Sequence, residues 1–200
     1  MRRRGFLAAL RLGPVVMAAG CSVLPAAPYT QRRDWPILVP RPDPLPPRAG
    51  GPVLLVRTVT AAPGIDRRGL LTLQPDGSMR VDFYEQWAVM PADGVEEALR
   101  QWLAGSGLYS AVIEAGSRLS PDLVLEATLT QFWAAPGAGK ADVALALVLL
   151  DQRRGGSRVR LQRTVTGQAP LTGSDAPAEA HAVLAALADA FAQAAQALAG

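Results

Sequence analysis

The residues able to do covalent or metal chemistry are few: one cysteine, Cys21, and one histidine, His181. A metal centre or a Ser-His-Asp triad would have to be built around His181, with no second histidine and no other thiol to join it. His181 therefore reads as an ordinary helix residue, on the surface or half-buried. A site made of carboxylates alone has no recognisable spacing here. The segment "APGAGKA" (135–141) approaches a phosphate-binding loop, which requires glycine five residues before Gly139 and Ser or Thr after Lys140. Ala134 and Ala141 stand there, so a hairpin loop is the simpler reading. Gly116-Ser117 lacks the G-x-S-x-G context of a strained nucleophile. The cluster "DFYEQWAVMP" (82–91) sets acids beside aromatics. Asp82 and Glu85, three apart on an expected strand, point to opposite faces, which speaks against joint acid–base work. Two readings of this cluster stay open: Phe83 and Trp87 as core with Tyr84 on the surface, or an aromatic contact surface for another protein or a lipid chain. Neither a catalytic nor a metal site is expected.

Cys21 carries the clearest chemical signal. Arg2, Arg3 and Arg4 precede a mostly apolar stretch, residues 5–19, interrupted by Arg11, and Ala18-Ala19-Gly20 leads into the cysteine. A charged start, a short apolar run and a small-residue junction make a secretory signal. The run is shorter than the roughly 20 residues that span a bilayer. A cysteine directly after the small residues resembles a bacterial lipobox, although Ala18 stands where lipoboxes usually carry Leu. In a lipobox the thiol takes a diacylglycerol, cleavage occurs before it, and the new amino terminus is acylated. Residues 1–20 are then a lipoprotein signal peptide and Cys21 the first residue of the mature chain. A plain secretory signal with a chance cysteine is the alternative. Arg3-Arg4-Gly5-Phe6-Leu7 also resembles the twin-arginine export pattern. Ser22, where Asp commonly retains lipoproteins in the inner membrane, implies by the same resemblance the outer membrane, facing the periplasm.

The leader changes the charge argument. The whole chain carries 20 Lys+Arg and 17 Asp+Glu. Four of the arginines and none of the acids lie in residues 1–20, which leaves 16 against 17, a net charge of −1, for the mature chain. A basic surface for nucleic acid is not supported. With Cys21 acylated, no thiol remains for a disulfide, a redox motif or a cysteine metal site. Core packing must then stabilise the fold unaided.

The elements that must position these residues follow from periodicity. Residues 21–51 read as a lipid-anchored linker, with prolines at 25, 28, 36, 40, 42, 44, 46 and 47. Proline fixes φ and lacks a donor, so helix and central strand are both disfavoured. About 30 residues of extended polyproline chain reach on the order of 90 Å. Within it, Trp35 and Ile37 in "RRDWPI" suit docking onto the chain's own domain or a partner. A single domain of residues 52–200 follows, the usual size of one core. "PVLLVRTVT" (52–60) reads as a strand. Residues 70–89 read as a hairpin turning at Pro75-Asp76-Gly77, with Met79, Val81, Phe83 and Trp87 on the apolar face and Glu85 inconsistently among them. Residues 91–107 read as a helix with Val95, Ala98, Leu99, Trp102 and Leu103 as its stripe. "LYSAVI" (108–113) is a short strand. Three strands, 122–133, 141–151 and 158–168, form an antiparallel meander. Leu123, Leu125, Ala127, Leu129 and Trp133 share one face of the first, and Val159, Leu161 and Val165 point inward from the last, with Arg158 and Arg160 outward. A long helix, 176–199, closes the chain. The class is α+β: a mixed, largely antiparallel sheet with two main helices packed on one face.

The lipobox cysteine, the proline-rich tether and the segment "APGIDRRGLLTLQPDGSMRVDFYEQWAVMP" come in a particular order. The helix, "SGLYSAVI", the strands "DLVLEATLTQFW" and "VALALVLLD" and the closing helix follow, with a Trp-x-x-x-Pro junction (Trp87 to Pro91) before the first helix. Together these resemble the ABC-type transport auxiliary lipoproteins, the PqiC/YmbA-like group. The resemblance implies a non-enzymatic periplasmic subunit anchored in the outer membrane. Such proteins accompany an MCE-domain protein, an inner-membrane permease and an ATPase in moving lipids between membranes, and members can assemble into homo-oligomeric rings. It implies no cofactor beyond the covalent diacylglycerol and N-acyl chain on Cys21. The lipid and tether would raise the domain's effective concentration at a partner. Trp35, Tyr84, Trp87, Arg158 and Arg160 are the candidate partner-binding residues. The alternative is an outer-membrane assembly lipoprotein of the lipopolysaccharide-transport type, which would bind a barrel; a periplasmic hydrolase is a third class.

Overall fold

Largely alternating apolar residues make Leu123–Ala135 a 13-residue strand, and the sheet is built around it. A computed structural model describes residues 30–153 and 155–200; the expected signal peptide and Cys21 lie outside them. In chain order the elements are β1 (Arg33–Trp35), β2 (Val53–Val56), β3 (Thr60–Ala61), β4 (Gly69–Leu73), β5 (Met79–Trp87), α1 (Pro91–Ala104), β6 (Ala111–Ile113), β7 (Leu123–Ala135), β8 (Lys140–Asp151), β9 (Arg158–Pro170) and α2 (Ala176–Ala199). A single helical turn, Pro136–Ala138, joins β7 to β8, so "APGAGKA" is the hairpin loop that its sequence suggests.

One edge of β7 pairs antiparallel with β8, and β8 with β9, giving the expected meander. The other edge is shared by three strands in turn: β2, β3 and β4 all run parallel to it. Beyond β2 lies β6, and beyond β4 lie β5 and β1. The sheet is therefore mixed. The stretch read as one strand, 52–60, is split into β2 and β3, which step along the same edge of β7.

Both helices cover one face. α1 begins at Pro91 and buries Val95, Ala98, Leu99, Trp102 and Leu103, the stripe that its sequence predicts. α2 starts at Asp175, whose carboxylate accepts from the Ala178 N–H at 3.1 Å, a helix cap. Length and composition would let α2 cross a membrane, yet Val183, Leu187, Phe191, Ala194 and Leu198 are buried in the core. Trp102 of α1 meets Phe191 of α2 at 5.7 Å between ring centroids. α2 lies directly on β9 at Gly167: a Cβ there would sit 2.0 Å from the Ala186 carbonyl oxygen and 2.3 Å from the Ala190 nitrogen.

Three interruptions of alternation redirect side chains. The β7–β8 register shifts between Leu129 and Gln131. Phe132 is thereby turned into the core, 5.1 Å from Trp87, while Trp133, expected inside, is only half-buried. The β8–β9 register shifts opposite Arg160. Val159, expected inside, is 58% exposed, because a bulge inserts one unpaired residue and reverses the parity of those before it. The third bulge, in β5, shapes the surface described below.

Residues 31–200 form one unit. It begins well before residue 52, where proline content places the domain boundary. β1 pairs in parallel with β5, Trp35 beside Trp87. Ile37 and Val39 are buried in the core, and the Leu45 N–H donates to the Gly105 carbonyl at 2.8 Å. The prolines in this stretch stiffen a strap laid over the domain.

Candidate functional site

β5 carries the most conspicuous exposed apolar row. Thr72 of β4 pairs with Arg80 of β5, and both side chains reach toward α2: the Thr72 hydroxyl donates to Glu179 at 3.2 Å and Arg80 donates to Glu179 at 3.4 Å. Neighbours on a strand point the other way. Leu71 with Val81 and Leu73 with Met79 therefore face away from the helices. Met79, Val81 and Phe83 are exposed there, Phe83 to 68%. The core position expected for Phe83 is thus overturned.

Asp82 explains why. The β4–β5 register passes from Leu71↔Val81 to Gly69↔Gln86, so β5 spends extra residues in a bulge. The Tyr84 and Glu85 N–H groups both donate to one Asp82 carboxylate oxygen at 2.9 Å. Burial pulls the Asp82 carboxyl upward, but these two donors and the Arg80 guanidinium outweigh it and hold the group below the usual carboxylate range. Gly69 is needed opposite: a Cβ there would meet the Asp82 carbonyl oxygen at 2.1 Å. Phe83 and Tyr84 protrude from the bulge, packed edge to face at 5.1 Å, and the Arg32 guanidinium lies 4.7 Å from the Phe83 centroid.

The bulge also resolves the inconsistency at Glu85. Its carboxylate accepts from Trp35 Nε1 at 2.9 Å and from Arg33 Nε at 2.7 Å, fastening β1 to the sheet edge. Trp35 is half-buried on its own domain, its ring edge-on to exposed His181 at 5.9 Å. Trp87 is 1% exposed and offers no surface. Tyr84 is exposed beside Phe83. Arg158 and Arg160 are exposed at a distance from this row: Arg80 meets Glu179 near the start of α2, whereas Arg160 lines a pocket with Leu198 near its end. The intervening helix spans about 28 Å at roughly 1.5 Å per residue. The candidate residues thus divide between two regions.

Of the two readings open for the 82–91 cluster, the exposed Phe83 fits the contact surface and the buried Trp87 the core. Glu85 on an apolar face was the available signal, since a single polar residue out of phase marks a change of parity. Sequence reasoning missed a second region, where Trp102 Nε1, an Arg41 Nη and the Tyr109 hydroxyl are buried without a hydrogen-bond partner. Exposed apolar side chains grouped along one strand, as on β5, suit contact with a protein or a membrane.

No curated protein matches the chain by sequence. Among solved structures, a protein from Xanthomonas campestris of the DUF330 family is similar with a TM-score of 0.64 at 24% identity, covering 82% of this chain and 90% of that one. An uncharacterized protein gives 0.63 at 16% identity over 84% of this chain and 97% of that one. A hypothetical protein from Chlamydia trachomatis gives 0.51 at 10% identity over 74% and 98%. At these identities the likeness is one of fold. The model of the ABC-type transport auxiliary lipoprotein component matches residues 38–199. Its lipoprotein character points to the cell envelope, and its auxiliary character to a transporter partner. The chain belongs to the ABC-type transport auxiliary lipoprotein family.

Proposed function

We propose that the protein is a non-enzymatic lipoprotein subunit of an MCE-type intermembrane lipid transport system. It is anchored in the outer membrane through acylated Cys21 and holds the machinery there from the periplasmic side. The family match over residues 38–199 carries this reading, and the lipobox-like "AAGC" at 18–21 supports the anchor. The exposed row Met79, Val81 and Phe83, with Tyr84 beside it, is the surface we assign to the MCE-domain partner. Burying apolar area is worth about 25 cal/mol per Å², and aromatic anchors dominate such contacts.

Tagged full-length protein drawn from detergent-solubilised membranes tests this, with mass spectrometry of co-purifying proteins and of the N-terminal peptide. Recovery of an MCE-domain protein together with a diacylglyceryl, N-acyl Cys21 is the expected result. Phe83→Asp lowers that recovery at least about tenfold, the loss of one well-packed anchor. Recovery of an outer-membrane barrel in its place selects the assembly-lipoprotein alternative. An unmodified chain with no MCE partner overturns the reading.

A further inference from the structure

Two cavities meet at the far end of α2. The first is an open groove of about 550 Å³. Ala188, Ala192, Ala195 and Ala199 of α2 line one side, and Trp102 and Leu108 the other, with Arg41 and Asp43 at the strap. Its size is within the roughly 300–1,000 Å³ of small-molecule sites. The second, about 280 Å³, is lined by Arg48, Arg153, Arg160 and Tyr109. Leu108 and Ala199 line both cavities, so the apolar groove and the basic pocket adjoin.

Three arginines and no carboxylate line the basic pocket. Arg153 is paired with Asp151, but Arg48 and Arg160 have no ion-pair partner among the described residues. Tyr109 is 4% exposed and its hydroxyl has no hydrogen-bond partner. Burial pushes that hydroxyl up to about 12, against the opposing pull of nearby Arg160. In the groove, Trp102 Nε1 and one Arg41 Nη are likewise buried and unpartnered. Buried donors are almost always satisfied, so several together at one place call for an acceptor.

We infer that the groove and the pocket form one binding site for an acyl lipid with a phosphate head: the chain lies along the alanines of α2, and the phosphate oxygens accept from Arg48, Arg160 and the Tyr109 hydroxyl. The β9 bulge is what brings Arg160 to this pocket, where strict alternation would point it outward. The site lies at the opposite end of α2 from the β5 row and stands or falls independently of the partner assigned there.

Calorimetric titration tests it, using the full chain carrying Cys21→Ser so that no covalent acyl group competes. The probes are dodecyl phosphate, dodecyl maltoside and inorganic phosphate, each below its micellar concentration where one exists. Dodecyl phosphate binds with one-to-one stoichiometry, at least about tenfold tighter than either of the others. Arg48→Gln with Arg160→Gln weakens it about tenfold and leaves dodecyl maltoside unchanged. Tyr109→Phe, which keeps the ring and the packing, weakens it several-fold. Ala192→Phe fills the groove and abolishes binding. Circular dichroism establishes that each variant is folded. Equal affinity for dodecyl phosphate and dodecyl maltoside overturns the proposal, as does inorganic phosphate binding as tightly as dodecyl phosphate. Undiminished affinity in folded Arg48→Gln/Arg160→Gln and in Tyr109→Phe also overturns it.

Discussion

Glu179 sits buried on α2 with its carboxylate turned toward the sheet. Burial raises its carboxyl above the usual range; the Asp82 and Asp175 charges add to this, and Arg80 and the Thr72 hydroxyl offset only part of it. A raised folded-state value means that the folded chain holds the proton more tightly than the unfolded chain. Stability is then greatest below the unfolded value near 4.5 and falls as pH rises through the folded one. Glu179→Gln removes that penalty and keeps an acceptor for Arg80. It raises the Tm at pH 7 by about 2–4 °C, the shift that roughly 1 kcal/mol makes in a domain of this size. The gain shrinks toward pH 4, where the wild-type carboxyl is mostly protonated in both states. Thermal melts from pH 4 to 8 check this; a Tm difference independent of pH sinks it. Nothing in the sequence around Glu179 announces its burial, because the partner that draws it inward, Arg80, is 99 residues away.

Elements were more legible than the directions of their side chains. Hydrophobic period and turn residues locate β4, β5, α1, β7, β8, β9 and α2 to within a few residues, and the α1 stripe is buried as its spacing requires. The misplaced side chains, Phe83, Trp133 and Val159, each lie in or beside a bulge. Extra residues in one strand are invisible until its partner is known, since register is a property of a pair. Close packing between elements is equally non-local. Gly167 looks like a weak point in a regular strand, but α2 rests on its bare backbone. Gly167→Ala therefore forces β9 and α2 apart and destabilises by about 3 kcal/mol, at the upper end for overpacking. A urea denaturation midpoint within error of wild type would count against this packing account.

On the scale of the whole molecule, the strap decides where the folded unit begins. Residues 31–51 contribute β1, Ile37 and Val39 to the core and an edge-to-helix contact at Leu45. Burial of each of the two aliphatic side chains is worth about 1.5–3 kcal/mol. A chain that starts at residue 52 loses these and uncovers Trp87, so it melts at least about 10 °C below a chain that starts at residue 30. Equal melting temperatures would show that the strap is only laid on a self-sufficient core. The same strap supplies Arg41 and Arg48 to the groove and pocket at the end of α2. A segment whose proline content suggests reach thus also builds a surface.

The sequence by itself determined the α+β class, the order of the long elements and the family, because periodicity, turn residues and element order are local properties of the chain. It also singled out Cys21 as the residue proposed for acylation, because a signal of that kind is read as a linear string. Tertiary structure alone decided that β2, β3 and β4 share one edge of β7, that the proline-rich strap belongs to the domain, and that Phe83 faces solvent. It alone brought Tyr109, Arg48 and Arg160 around one pocket. The physical reason is common to all four: pairing register, bulge position and buried polar partners depend on residues tens of positions apart, which meet only when the sheet is assembled.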